Sequence, residues 1–275
     1  MESSPILHND LIPKSEHIYA QSRIQANTLF SFVSKLEFLI NSVKQAALYP
    51  RFCIEDVSYL KIEKFNQIAI PMKCFCDINI HKLGIHLECY GYYGLGFSKD
   101  WGIRNKIQPV KYINPESELC ADFSVAFNSA LKSDSNDKSP EQELMENYLL
   151  HELMYCKPYD GNIKNRNTNE LSSKCFEDEC EWRFVPDVTQ AGYNQVYYKQ
   201  DMLNDAVLMD YSNSMEGIST LALKFEYRDI KYIIIKEEAE LDIIYAEIDK
   251  LNLENKKKNK LYSRIMIWDS IKGDF

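Results

Sequence analysis

The chain has nine glycines, and four of them (Gly91, Gly94, Gly96 and Gly102) fall within residues 90–112. Three tyrosines, Tyr90, Tyr92 and Tyr93, interleave with them, and Ser98-Lys99-Asp100-Trp101 follows. Glycine admits positive φ and lets another group approach the backbone closely. Aromatic rings between glycines supply flat walls. Two structures satisfy that pattern: one wall of a ligand pocket, or a tight glycine-containing hairpin with aromatic cross-strand pairs.

The rest of the sequence bounds what surrounds this stretch. At 275 residues with 45% apolar side chains, the chain can bury a real core. No internal repeat or linker stands out. A loose arm over residues 1–14 and a single α+β domain over 15–275 are expected, with a mixed or antiparallel sheet flanked by helices. The net charge of −9 argues against nucleic acid as a bulk ligand, though it leaves a local basic patch open. No apolar run has membrane-spanning length, and the N-terminus lacks the basic-then-apolar order of a signal peptide. The expectation is a cytoplasmic protein without a membrane partner. Its eight cysteines include no C-x-x-C, so reduced buried thiols and no metal site are expected.

Residues 15–48 show three- and four-residue apolar spacings and predict a helix, with Asn27-Thr28 as a cap just before its strongest part. Residues 65–80 alternate through Ile68, Ile70, Met72, Cys74, Cys76 and Ile78, a strand pattern. Pro71 inside it predicts an edge strand or two short segments meeting at a bulge. Residues 81–90 read as one or two helical turns, and 106–113 as a second strand. Helices are expected at 116–131, 141–155 and 237–251. Residues 158–174 read as a polar loop, 221–236 as two strands around Tyr227-Arg228-Asp229, 255–260 (NKKKNK) as a solvated turn, and 265–268 as a final strand.

The common catalytic templates are missing. Gly91-x-x-Gly94-x-Gly96 is neither the Rossmann fingerprint nor a P-loop, His151-Glu152 lacks a second zincin histidine, and no G-x-S-x-G occurs. What remains is FEDECEWRFVP at 176–186. Strand alternation from Glu179 sets Glu179, Glu181 and Arg183 on one face and Cys180, Trp182 and Phe184 on the other. The two carboxylates suit a ribose hydroxyl or a developing oxocarbenium. Equally, Arg183 suits a structural ion pair. Lys99 suits an anionic ligand or plain solvent. The candidate set is therefore Glu181, Tyr93 and Ser98 as catalytic residues. Asp77, Tyr90, Tyr92, Gly94, Gly96, Lys99, Trp101, Glu179 and Arg183 are the candidates for ligand binding.

Four segments in order, IPMKCFCDI (70–78), YGYYGLGFSKDWG (90–102), DECEWRFVP (178–186) and DIKYIIIK (229–236), resemble the AbiGi-type abortive-infection proteins of bacteria. The resemblance spans about the central two thirds of the chain and implies a role in defence against phage. It transfers no catalytic residues. Its antitoxin description implies a protein partner, from a neighbouring defence gene or from the phage. A fold-level analogy to ADP-ribosyltransferase-like toxins adds a second expectation. Lys73 and Asp77 would stand on the first strand, Tyr93 or Ser98 would line an NAD site, and Tyr92 or Tyr93 would stack on the nicotinamide or adenine. Glu181 would stabilise the ribosyl cation, with NAD as substrate. The alternative is a non-enzymatic antitoxin, sensor or partner-binding subunit.

Overall fold

The computed structural model describes residues 20–132, 138–164, 171–200 and 202–274. The expected arm at 1–14 lies outside the described residues. In chain order the elements are β1 (Thr28–Val33), α1 (Leu36–Gln45), β2 (Ala47–Leu48), β3 (Arg51–Asp56), β4 (Gln67–Cys76), α2 (Leu83–Tyr90), β5 (Tyr93–Ser98), α3 (Lys99–Arg104), β6 (Gln108–Pro109) and β7 (Lys111–Ile113). They continue with α4 (Glu118–Lys132), α5 (Pro140–Tyr155), β8 (Cys156–Pro158), β9 (Asp160–Lys164), β10 (Leu171–Cys175), β11 (Glu181–Phe184), α6 (Asp205–Met215), β12 (Leu223–Lys224), β13 (Ile230–Ile235), α7 (Leu241–Asp249), α8 (Asn255–Tyr262), β14 (Ile265–Ile267) and α9 (Trp268–Ile271).

The fold is α+β, built on one open mixed sheet in the order β14-β13-β5-β1-β4-β11-β6, with β3 also on β4. The pair β13–β14 is parallel, and the other pairs of this sheet are antiparallel. One face carries Leu29, Phe75, Leu95, Phe97, Ile233 and Ile235, packed with Leu39 and Val43 of α1, Trp101 of α3, and Ile244 and Ile248 of α7. The other carries Phe30, Cys76 and Ile234 under Leu83 and Leu87 of α2 and Trp268 of α9. Further along β4, α4 and α5 pack with Ile68 and Ile70, and α6 packs on Phe52 and Ala69.

Several expectations are corrected. The helix expected from residue 15 begins only at Leu36, and Thr28 opens a strand rather than capping a helix. Leu29, Phe30, Phe32 and Val33 are consecutive enough to fit either period, and burial on both faces of the sheet decides for the strand.

Pro71 sits inside a central ten-residue strand, not at an edge. The geometry makes this harmless. Facing Pro71 is Phe52, whose N–H turns away from β4 to Ser212 Oγ at 2.9 Å. Pro71 therefore also points away from β3, into the gap between the Ala69–Tyr197 bridge and the first β11 pair, Lys73–Phe184. No carbonyl on either neighbour needs the N–H that proline lacks.

Residues 90–112 form no hairpin. They run from the end of α2 through β5 and α3 to the short strands β6 and β7, which divide the single strand expected at 106–113. The polar loop expected at 158–174 instead contains β9 and β10, which pair with each other. β12 and β13 pair with β2 and β5, not with one another. NKKKNK opens helix α8, and α6 had no counterpart in the sequence reading.

The glycines of β5 owe their identity to its neighbour. Gly96 lies opposite Phe30 and Gly94 opposite Phe32. A Cβ on Gly96 would stand 2.8 Å from the Phe30 ring, and one on Gly94 2.5 Å from the Phe32 ring. The rings lie across the space the glycines leave, a pairing that restores packing to a bare strand. Phe30 is 1% exposed and stacks on Tyr232 at 5.7 Å, so it has nowhere to move. Gly96→Ala is therefore expected to destabilise by about 1–3 kcal/mol through overpacking. Urea unfolding should show a lower midpoint at unchanged slope; an unchanged midpoint would contradict this packing account. Gly91 has a separate reason: its φ is +113°, and a Cβ there would meet the Val33 carbonyl oxygen at 2.3 Å.

Candidate functional site

The acidic motif ahead of β11 folds inward. Glu177 and Asp178 are exposed on a 3₁₀ turn over Phe176–Glu179. Cys180 takes the left-handed conformation at φ 43° and turns the chain into β11. Glu179 thus precedes the strand instead of belonging to it, yet it joins Glu181 and Arg183 in one buried cluster. In β11, Glu181 lies opposite Cys76 and Arg183 opposite Cys74.

Arg183 is fully buried and spends its whole fork. Its Nε donates to Glu181 Oε1 at 2.8 Å, one terminal nitrogen to Glu55 Oε2 at 2.9 Å, and the other to the Met154 carbonyl at 2.9 Å. That last acceptor is in the final turn of α5, where carbonyls lack helical partners and carry the negative end of the dipole. Lys157, from β8, donates to Glu181 Oε2 at 2.8 Å and to Glu179 Oε2 at 2.5 Å. Lys174, from β10, lies 2.7 Å from Glu179 Oε1. Tyr90 donates to the same Glu179 oxygen, and Tyr112 accepts the Glu181 N–H at 2.7 Å. His86 lies against the Tyr90 ring at 4.5 Å.

Three carboxylates (Glu55, Glu179 and Glu181) face three cations (Lys157, Lys174 and Arg183). Burial alone would raise the Glu181 carboxyl; Arg183 and Lys157 outweigh it and hold the group well below the usual carboxylate range. Glu179 is lowered in the same way, against burial, by Lys157 and Lys174. Burial followed by the Glu179 charge pushes the Tyr90 hydroxyl far up. Burial lowers His86 from 6.5 to about 4. Glu179, Glu181, Lys157 and Arg183 are held charged at neutral pH and are occupied by one another.

On the opposite face of the sheet is a second, separate pair. Ser98 caps α3 by accepting the Trp101 N–H at 3.2 Å. That start sends Lys99 inward, where it is 2% exposed, and Asp100 outward to pair with Arg104. Lys99 forms a buried ion pair with Asp77, and its ammonium lies 5.6 Å from the centre of the Trp182 ring. Neither solvent nor a ligand is needed to account for Lys99. Trp101 stacks on Phe97 at 4.2 Å. Burial, partly offset by Lys99 and Trp182, raises the Asp77 carboxyl.

The candidate residues therefore gather in groups, not in one cleft. Tyr90, Glu179, Glu181 and Arg183 stand together. Asp77, Lys99 and Trp101 lie across the sheet from them, and Ser98 is occupied as the cap of α3. Tyr93 donates to Glu240 Oε1 at 2.5 Å and anchors the turn before α7. The Tyr92 ring receives the Lys236 ammonium at 5.6 Å, and Gly94 and Gly96 serve the Phe30 and Phe32 rings. Two open surface depressions, about 380 and 690 Å³, are lined by other residues. Sequence reading missed Glu55, His86, Tyr112, Lys157 and Lys174. The available signal was indirect: two glutamates on the face of a buried strand require cations from elsewhere. Among the described residues, no helix is long and apolar enough to cross a membrane.

No solved structure matches this chain. The family model described as "Putative abortive phage resistance protein AbiGi, antitoxin" matches residues 46–236, a span that contains the whole charged cluster. The abortive phage resistance protein AbiGi of Lactococcus lactis subsp. cremoris is 31% identical over 248 residues, covering 83% of this chain and 100% of that protein. The chain belongs to the AbiGi family of abortive phage resistance proteins.

Proposed function

We propose that this protein serves phage resistance as a non-enzymatic, antitoxin-type subunit that binds a protein encoded by a neighbouring defence gene. The observation that carries this reading is the state of Glu181. Both of its carboxylate oxygens are taken by Arg183 and Lys157, so the residue most suited to stabilising a ribosyl cation is committed to the core. A transferase carboxylate must meet substrate; this one meets only its own chain. The family description as an antitoxin points the same way.

The outer face of α5 supports a protein partner. Leu144, Met145 and Tyr148 are each more than half exposed and sit at three- and four-residue spacings. Exposed Glu141 and Glu143 flank them. In a chain of net charge −9, this surface suits a partner with a basic rim.

Co-expression of the tagged protein with the neighbouring gene product should yield a complex that survives gel filtration. Leu144→Glu combined with Tyr148→Ala should weaken it by about tenfold or more. A strictly monomeric protein that finds no partner, and that kills the cell when expressed alone, would contradict the proposal. A second arm addresses the transferase reading directly. Labelled NAD and infected-cell lysate should give the same result with wild type and with folded Glu181→Gln. Label transfer by wild type alone would establish the enzyme instead.

A further inference from the structure

The larger of the two surface depressions, about 690 Å³, shares no lining residue with the charged cluster or with the exposed face of α5. Its floor is aromatic. Tyr198, 41% exposed, lies on Phe65 with ring centroids 5.1 Å apart. Phe65 in turn stands edge-on to Phe127 of α4 at 6.2 Å and 88°. The backbone beneath is held at both sides: Tyr197 exchanges two hydrogen bonds with Ala69, and the Asn66 carbonyl accepts from Val57 N–H at 2.8 Å. The platform is therefore preorganised and still presents an open ring face.

Lys64 and Lys199 line the same depression, both exposed. Among the described residues neither has an ion-pair partner, so both ammonium groups face solvent. Asn66 and Gln200 add amide groups that make no side-chain hydrogen bond among the described residues. A flat aromatic face, two exposed lysines and two amides suit an unstacked base with its phosphate. Bases stack on aromatics regardless of sequence, lysines hold the backbone, and amides reach base edges. A duplex offers no free base face.

We propose that this depression binds the base and phosphate of a single-stranded nucleic acid or a free nucleotide. The net charge of the whole chain argues against coating of nucleic acid in bulk; a local site needs only the local surplus of two lysines over Asp56.

The test is fluorescence anisotropy of the full chain with a labelled oligothymidylate of about ten nucleotides at low salt. Tyr198→Ala should weaken binding about tenfold, and Tyr198→Phe should leave it unchanged. Lys64→Gln with Lys199→Gln should reduce the slope of log affinity against log salt by about 1.4. These are surface positions, and an unchanged Tm confirms that each variant folds. Competition by AMP identifies a free nucleotide as sufficient; competition by unlabelled single strand but not AMP assigns the strand. The proposal is overturned by any of three results: no binding of either probe, wild-type affinity in Tyr198→Ala, or equal displacement of the probe by duplex DNA and polyglutamate.

Discussion

Arg183→Met is expected to cost about 3–5 kcal/mol, the penalty for removing one partner of a buried ion pair and stranding the other. Glu181 and Glu55 would each lose a guanidinium, and the Met154 carbonyl would lose its donor. Against a total stability of about 5–15 kcal/mol, that is a large fraction. For a chain of this size, Tm should fall by on the order of 10 °C. Pairing the change with Glu181→Leu should recover part of the loss, because an apolar pair carries no desolvation penalty and Lys157 still faces Glu179. Urea unfolding of wild type, both single variants and the double variant closes the cycle. If Arg183→Met costs less than about 1 kcal/mol, the range of an exposed pair, the cluster is not what fixes this end of the sheet.

The second large effect is acid sensitivity that begins above the range of ordinary carboxylates. His86 protonates near 6.5 when unfolded and near 4 when folded. Between those values the unfolded chain binds the extra proton, so stability falls as the pH drops through this window. The groups around the imidazole are Tyr90, Glu179, Glu181, Lys157 and Lys174, and burial outweighs all of them. At 1.36 kcal/mol per unit, His86 accounts for a loss of about 2 kcal/mol or less by pH 5, since the ring retains some exposure. Below about pH 4.3 a second loss begins. Glu179 and Glu181 titrate lower in the folded state than in the unfolded one, so their stabilisation disappears as pH falls further. His86→Phe should flatten the limb between pH 6.5 and 4 and leave the lower limb in place. Melting curves at pH 7, 5 and 4 separate the two. A wild-type Tm that is flat from pH 7 to 5 would mean that His86 gains its proton without cost.

How far the sequence reached depended on which contacts decide each segment. The alternation through β4 and the apolar spacing over 141–155 are local signals, and a strand and a helix formed at those places. The α5 start even carries the reciprocal Ser139–Gln142 capping box. The segment TLFSFV fits two periods, and only its burial between β5 and β4 makes it a strand. Pro71 pointed to an edge because the compensating geometry, the Phe52 N–H turned to Ser212, involves a residue 160 positions away. The candidate site shows the same divide. Alternation placed Glu181 with Arg183 correctly, since that is a property of one strand. It gave no sign that Lys157 and Lys174 arrive from β8 and β10, nor that the sheet separates Asp77 and Lys99 from Glu181. The glycine-tyrosine stretch had two readings, and for Gly94 and Gly96 the neighbours are Phe30 and Phe32, supplied by β1.

The placement of the charged cluster also governs when the fold can form during synthesis. Glu55 and Arg183 are 128 residues apart, and β1 is flanked by β4 and β5 instead of by its nearest neighbours in sequence. Such long-range pairing assembles slowly. A ribosome that has made the first half of this chain holds the Glu55 carboxylate without Arg183, and a central strand, β4, still lacking β11. The nascent protein must stay open until the segment past Phe184 emerges, so interrupted translation leaves it unfolded and exposed to proteases and chaperones. The amount of folded protein in a cell is thereby tied to uninterrupted synthesis of the chain well beyond its midpoint.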